Sequence, residues 1–189
     1  MYKRQLLLTR DPGRAAALAQ ELCALNRERQ TIECEIFQEC VQRLERRPQS
    51  GVILLADEHW HQGVVGIVAS RLTEKYSCPV FMGCLDQGMG KGSCRSWGGV
   101  NLFHLLTQCQ DLLEGFGGHA MAAGFTVREE NIPALDRRLR QLVLEEQAGE
   151  ELPSLLDIDA AVLPQELTVE AVEALDALEP CGAGNPRPV

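Results

Sequence analysis

The groups in this sequence best suited to chemistry fall in three short segments, each combining glycine with a polar side chain. The first is Trp60-His61-Gln62-Gly63-Val64-Val65-Gly66-Ile67-Val68-Ala69-Ser70-Arg71-Leu72. His61 and Gln62 stand where an apolar strand hands over to a helix, so the helix's free amides and positive end point toward them. Gly63 and Gly66 let another backbone approach. A second reading fits as well: His61 caps the helix and the glycines serve its packing. Asp57, Glu58 and His59 resemble a metal cluster in composition. Consecutive residues at a strand end point to opposite faces, so no shared metal is expected there.

The second segment is Gly88-Met89-Gly90-Lys91-Gly92-Ser93-Cys94-Arg95-Ser96. It is not a nucleotide-binding P-loop, because Lys91 is followed by Gly92 rather than Ser or Thr. Its amides, the Ser93 and Ser96 hydroxyls and the Arg95 guanidinium are nevertheless the chemistry that holds phosphate oxygens. On a strand, Ser93 and Arg95 share one face. A glycine-rich hairpin with a surface arginine is the plainer alternative. The third segment is Gly115-Phe116-Gly117-Gly118-His119-Ala120-Met121-Ala122-Ala123-Gly124. Gly117 and Gly118 permit positive φ and close ligand approach. Small neighbours clear space for His119 to donate to a phosphate or shuttle a proton, and a core histidine is the plainer alternative.

Positioning these groups requires an α/β domain. Asp11-Pro12 is a helix start. Apolar residues at Leu18, Leu22, Leu25, Ile32, Ile36, Cys40 and Leu44 then predict one long amphipathic helix ending before Pro48. Val52–Ala56 and Pro79–Leu85 read as strands. Gly63–Tyr76 reads as a helix with Val64, Ile67, Val68, Leu72 and Tyr76 inward. Gly88–Gly99 reads as a turn and strand, Asn101–Leu113 as a helix capped by Asn101, Ala120–Val127 as a strand and Ile132–Glu146 as a helix. Alternation of this kind predicts a mixed β-sheet with flanking helices. Beyond Gly149, Leu155–Asp159 reads as a strand and Val169–Leu178 as a helix, before a turn-rich end.

The 189 residues are 45% hydrophobic and 24% charged with mean hydropathy −0.12, which excludes fibrous and wholly disordered chains. No apolar run approaches the ~18 residues of a membrane span. Leu6-Leu7-Leu8 is too short for a signal peptide's apolar region. The net charge of −9 is uneven: residues 1–51 carry nine basic and seven acidic side chains, 52–128 five and six, 129–189 four and fourteen. A broad basic surface is excluded, but a local anion site in the middle is not. None of the eight cysteines forms a C-x-x-C pair, and free buried thiols in a reducing cytoplasm are expected.

Taken together and in order, Trp-His-x-Gly-Val-x-Gly-Ile, Gly-Lys-Gly-Ser-x-Arg-Ser and Gly-Gly-His-x-x-Ala-Ala-Gly resemble the DHHA1 domain of the DHH phosphoesterase superfamily. More narrowly they resemble the RecJ-type single-stranded-DNA-specific exonucleases. Leu178-Glu179-Pro180-Cys181-Gly182-Ala183-Gly184-Asn185-Pro186 resembles the entrance to that family's OB-fold, and Leu25–Gln30 its linker helix. The resemblance implies a DHHA1-like α/β fold with this division of the chain: a linker helix at 6–50, a DHHA1 domain at 51–149, and a connector with the start of an OB-fold region at 150–189. Residues 1–5 are expected to be a non-native leader, because Met-Tyr-Lys-Arg-Gln back-translates as GTG TAT AAG AGA CAG, which looks like a sequencing-adapter end.

The resemblance further implies 5′→3′ exonuclease activity on single-stranded DNA in recombination and repair. Two Mn²⁺ or Mg²⁺ ions would sit in a preceding DHH domain and activate water. Ser93 and Arg95, with Ser96, would hold phosphate at the 5′ end. His119 would lie with Gly117 and Gly118 beside the scissile phosphate, and His61 would join the substrate-binding set. The implied partners are single-stranded DNA and the DHH domain; the protein would be a cytoplasmic monomer, without a membrane. The departures are specific. No Asp-His-His occurs, Cys94 replaces a small residue and Cys181 replaces Phe. These 189 residues alone are therefore expected to bind no metal and to hydrolyse nothing. Two alternatives remain open: the same domain of a nano-RNase or cyclic-dinucleotide phosphodiesterase, and a stand-alone module that binds partners through its acidic last third.

Overall fold

A computed structural model describes residues 2–45, 51–147, 158–182, 185 and 187–188. The chain forms two units, residues 1–151 and 152–189. In the first, α1 (Tyr2–Leu8) lies against the start of α2 (Pro12–Glu45). Asp11 starts α2 as expected, its Oδ1 accepting from the amides of Gly13 at 2.9 Å and Arg14 at 3.3 Å. At 34 residues α2 is about 51 Å long. Its second half packs Ile36, Cys40 and Leu44 into the domain, whereas Leu25 in its middle is 45% exposed.

Five strands form one mixed sheet in the order β1-β2-β3-β5-β4. They are β1 (Ile53–Asp57), β2 (Val80–Asp86), β3 (Met89–Arg95), β4 (Leu113–Gly118) and β5 (Ala122–Arg128). Only β1 and β2 run parallel, joined by α3 (Gln62–Tyr76); the other pairs are antiparallel. Strand alternation divides the core in two. On one face Leu54, Phe81, Cys94, Phe125 and Val127 meet Leu102, Leu105 and Leu106 of α4 (Leu102–Gln108) and Leu135, Leu139 and Val143 of α5 (Ile132–Gln147). On the other, Ile53, Leu55, Val80 and Met82 meet α3, with α2 packed beyond it. Arg71 fixes that second layer, its guanidinium 4.1 Å from the Phe37 ring and 3.0 Å from Glu33.

Two expectations are corrected. Because α3 is covered by the sheet on one side and α2 on the other, its buried face is wider than one stripe. Val65 and Ala69 are fully buried, and Ile67 is 38% exposed. The helix expected over Asn101–Leu113 is capped by Asn101 Oδ1, which accepts from His104 N at 3.1 Å, but it stops at Gln108. A 3-10 turn and then β4 follow, so Leu113, expected in the helix, opens a strand. Of the cysteines, 40, 78, 94 and 109 are buried as expected, while Cys23 and Cys34 are exposed on α2.

In the second unit α6 (Val169–Ala174) is capped by Thr168 Oγ1, which accepts from Ala171 N at 3.2 Å. A 3-10 turn over Leu175–Leu178 continues it. The strand expected at Leu155–Asp159 lies largely outside the described residues. No helix among the described residues is long and apolar enough to cross a membrane.

Candidate nucleic-acid interface

Helix α3 rests on β2 and β3 but leaves the same face of β5 and β4 open. Along β3, Lys91, Ser93 and Arg95 point to that face, paired with Thr126, Gly124 and Ala122 of β5. Beyond them Gly117 of β4 pairs with Gly124, and Gly115 with Thr126. The result is a shallow groove of about 350 Å³ floored by backbone, with Gln62 at one wall. Among the described residues that line it, only Lys91 is charged. A larger hollow of about 890 Å³, where β2 turns into β3, is rimmed by Asp57, Glu58, Asp86 and Glu129. His59 also lines it, but the four carboxylates leave the rim net negative and repel phosphate.

Arg95 is held from two sides. Its Nε donates to Ser70 Oγ on α3 at 3.1 Å, and Nη1 to the Cys94 carbonyl at 2.9 Å. Its Nη2 and the Ser93 hydroxyl both face Gly66 of α3. A β-carbon on Gly66 would lie 3.1 Å from Arg95 Nη2 and 3.2 Å from Ser93 Oγ. Among the described residues neither polar atom has a hydrogen-bond partner, so both can turn to a ligand. Cys94 between them faces the opposite core, and burial pushes its thiol up to about 12, which keeps it protonated and unreactive.

His119 follows Gly118 in the three-residue loop 119–121 between β4 and β5. Gly118 has φ +138, and a β-carbon there would come within 2.5 Å of Ala123 Cα, so only glycine fits. The loop is fixed by backbone bonds: His119 N to Ala122 O at 2.9 Å, Ser96 N to Met121 O at 3.0 Å and Leu102 N to Ala120 O at 3.0 Å. The His119 side chain is exposed and has no hydrogen-bond partner among the described residues. A rigid backbone thus carries a free imidazole at the end of the sheet where Arg95 stands.

Two other sequence-selected residues make hydrogen bonds within the frame. His61 is the N-cap of α3, its Nδ1 accepting from Gly63 N at 3.1 Å. Ser96 is buried and its hydroxyl donates to the Val100 carbonyl within the 96–100 turn. Asp57 and His59 meet, Oδ1 to Nδ1 at 3.0 Å, as residues two apart on one face can, and His59 N also bonds Asp57 Oδ1. Asp57 is taken by Arg43 of α2. Among the described residues no group of three or more His, Cys, Asp or Glu could hold a metal ion. The donor set of the described residues therefore does not fit a two-metal centre. Ser70 was not singled out from the sequence; a serine on a helix carries no periodic signal, and only its distance to Arg95 reveals its part.

An α/β domain with a glycine-floored groove and a Ser-Arg pair beside it defines a class suited to a narrow anionic chain. Residues 49–145 match the DHHA1 domain family, and the chain belongs to it. The chain is 36% identical over 186 residues to the single-stranded-DNA-specific exonuclease RecJ of Bacillus subtilis, covering 97% of this chain and 24% of that protein. It is 36% identical over 187 residues to the enzyme of the same name from Thermus thermophilus, covering 98% and 26%. The crystal structure of Thermus thermophilus RecJ with Mg²⁺ superposes with a TM-score of 0.81, over 97% of this chain and 28% of that one. The chain thus spans about a quarter of the length of these relatives.

Proposed function

We propose that this chain is the DNA-gripping part of a 5′→3′ exonuclease specific for single-stranded DNA, acting in recombination and repair in the cytoplasm. The observation that carries the reading is that Arg95 Nη2 and Ser93 Oγ, without hydrogen-bond partners among the described residues, converge on Gly66 of α3 next to the Gly92 and Gly124 backbone that lines the groove. The groove is floored by glycine, so a phosphate chain can approach the backbone closely. A guanidinium and a hydroxyl suit a terminal phosphate, which carries more charge than an internal one. His119, with Gly117 and Gly118, stands at the Arg95 end of the sheet and is assigned to the scissile phosphate. On this reading a DHH domain outside these 189 residues holds the metals and performs hydrolysis, and the chain by itself binds without cutting. Its relatives' identity as single-stranded-DNA exonucleases and the ordered motifs support the substrate class.

Fluorescence anisotropy with a 5′-phosphorylated single-stranded oligonucleotide tests this. The wild type is expected to bind in a salt-sensitive way and to leave the strand uncut in Mn²⁺. Arg95→Ala is expected to weaken binding by about 1–3 kcal/mol. Equal binding by the two proteins contradicts the role of Arg95. Cutting by protein freed of contaminating nuclease contradicts the division of labour.

A further inference from the structure

We infer that Lys91 is a second phosphate contact, taking an internal phosphate of the strand whose end is held at Ser93 and Arg95. This rests on the reading just given and extends it from an end-binding pocket to a track along β3. Lys91, Ser93 and Arg95 occupy alternate positions of one strand and point to one face. Successive members are about 7 Å apart along the strand, close to the phosphate spacing of an extended single strand. The Lys91 side chain is exposed and makes no ion pair or hydrogen bond among the described residues. It lines the groove that Gly115, Gly117 and Gly124 keep open, with the Thr126 hydroxyl beside it. Among the described residues no carboxylate lines that groove to neutralise it. The one other charged group on this face of β3 is Arg95, and its Nε and Nη1 are engaged within the protein.

A cation at this place adds nothing to the packing of the domain. The Lys91 position pairs with Cys84 of β2 and Thr126 of β5, neither of which is acidic. Coulomb attraction to a strand in the groove is what the position offers, and an internal phosphate can be reached only by an oligonucleotide.

The test compares two probes on the full chain: thymidine 5′-monophosphate and 5′-phosphorylated hexathymidylate, by titration calorimetry across a salt series. Lys91→Gln is expected to weaken the hexamer about three- to tenfold, to leave the mononucleotide within twofold, and to make the salt slope shallower by about 0.7. Lys91→Arg should restore the hexamer, and Arg95→Ala should weaken both probes. Unchanged hexamer binding by Lys91→Gln, or equal loss of both probes, overturns the inference while Arg95 dependence leaves the end-binding reading standing. Failure of the wild type to bind either probe removes that reading and this one together. Lys91 is exposed, so matching thermal unfolding of variant and wild type will show that any loss is not a folding defect.

Discussion

Arg95 on β3 donates its Nε to the Ser70 hydroxyl of α3 at 3.1 Å, so the guanidinium is aimed by a helix rather than by its own strand. The bond crosses the joint between sheet and helix that the packing of Val64, Val68 and Leu72 makes rigid. Ser70→Ala removes the aim without removing the charge. The variant should unfold within about 1 kcal/mol of the wild type and bind 5′-phosphorylated oligonucleotide two- to tenfold more weakly, by about 0.5–1.5 kcal/mol. Unchanged affinity in an anisotropy titration would separate Ser70 from the site.

Gly66 gives a sharper separation of folding from binding. Alanine there gains up to about 1 kcal/mol of helix stability. The added carbon stands 3.1 Å from Arg95 Nη2 and 3.2 Å from Ser93 Oγ, so both must move a few tenths of an ångström. Gly66→Ala should therefore melt no lower than the wild type while binding the 5′-phosphate more weakly. A general packing defect would lower both together.

The paired glycines of β4 behave oppositely. A β-carbon on Gly117 meets nothing within 4 Å, whereas one on Gly118 runs into Ala122 O and Ala123. Gly118→Ala should lose about 1–3 kcal/mol in urea unfolding and disturb the His119 loop. Gly117→Leu should fold normally yet fill the groove and exclude DNA. Equal stability losses at both positions would contradict the strand geometry.

Acid should loosen the joint between α2 and the sheet. Burial alone would raise the Asp57 carboxyl, but Arg43 and the amide and ring of His59 outweigh it and hold it down at about 2. A carboxyl depressed in the folded state stabilises fully above its unfolded value, near 4. The contribution, on the order of 1–2 kcal/mol, is lost as pH falls from about 4 through 2. Urea unfolding followed from pH 6 to pH 2 should show this decline, and Asp57→Asn should flatten it. A parallel decline in both proteins would place the effect elsewhere.

Most of the frame was legible from periodicity: α2, α3, α5 and three of the strands follow the apolar pattern. β4 was not, because Gly115, Gly117 and Gly118 are poor strand formers. Its pairing with β5 and the Phe116 ring, 5.7 Å from Phe103, supply what propensity lacks. The Ser93–Arg95 face was readable from two-residue spacing. The task of Ser96 was not, since a hydroxyl that locks a turn looks in sequence like one that waits for a ligand, and for His61 the pattern fitted a cap and a ligand contact equally. Lys91 fails the P-loop pattern, and its place on the open groove is visible only in the fold.

The central claim is that the strand's phosphorylated end is held at β3 and the β4–β5 loop. Amide chemical shifts of the labelled chain, titrated with hexathymidylate bearing a 5′-phosphate or a 5′-hydroxyl, test it most directly. Shifts that distinguish the two ligands are expected to cluster at Ser93, Arg95, Gly117, Gly118 and His119. Identical shifts for both ligands, or differences gathered around Asp57, Asp86 and Glu129, would contradict it.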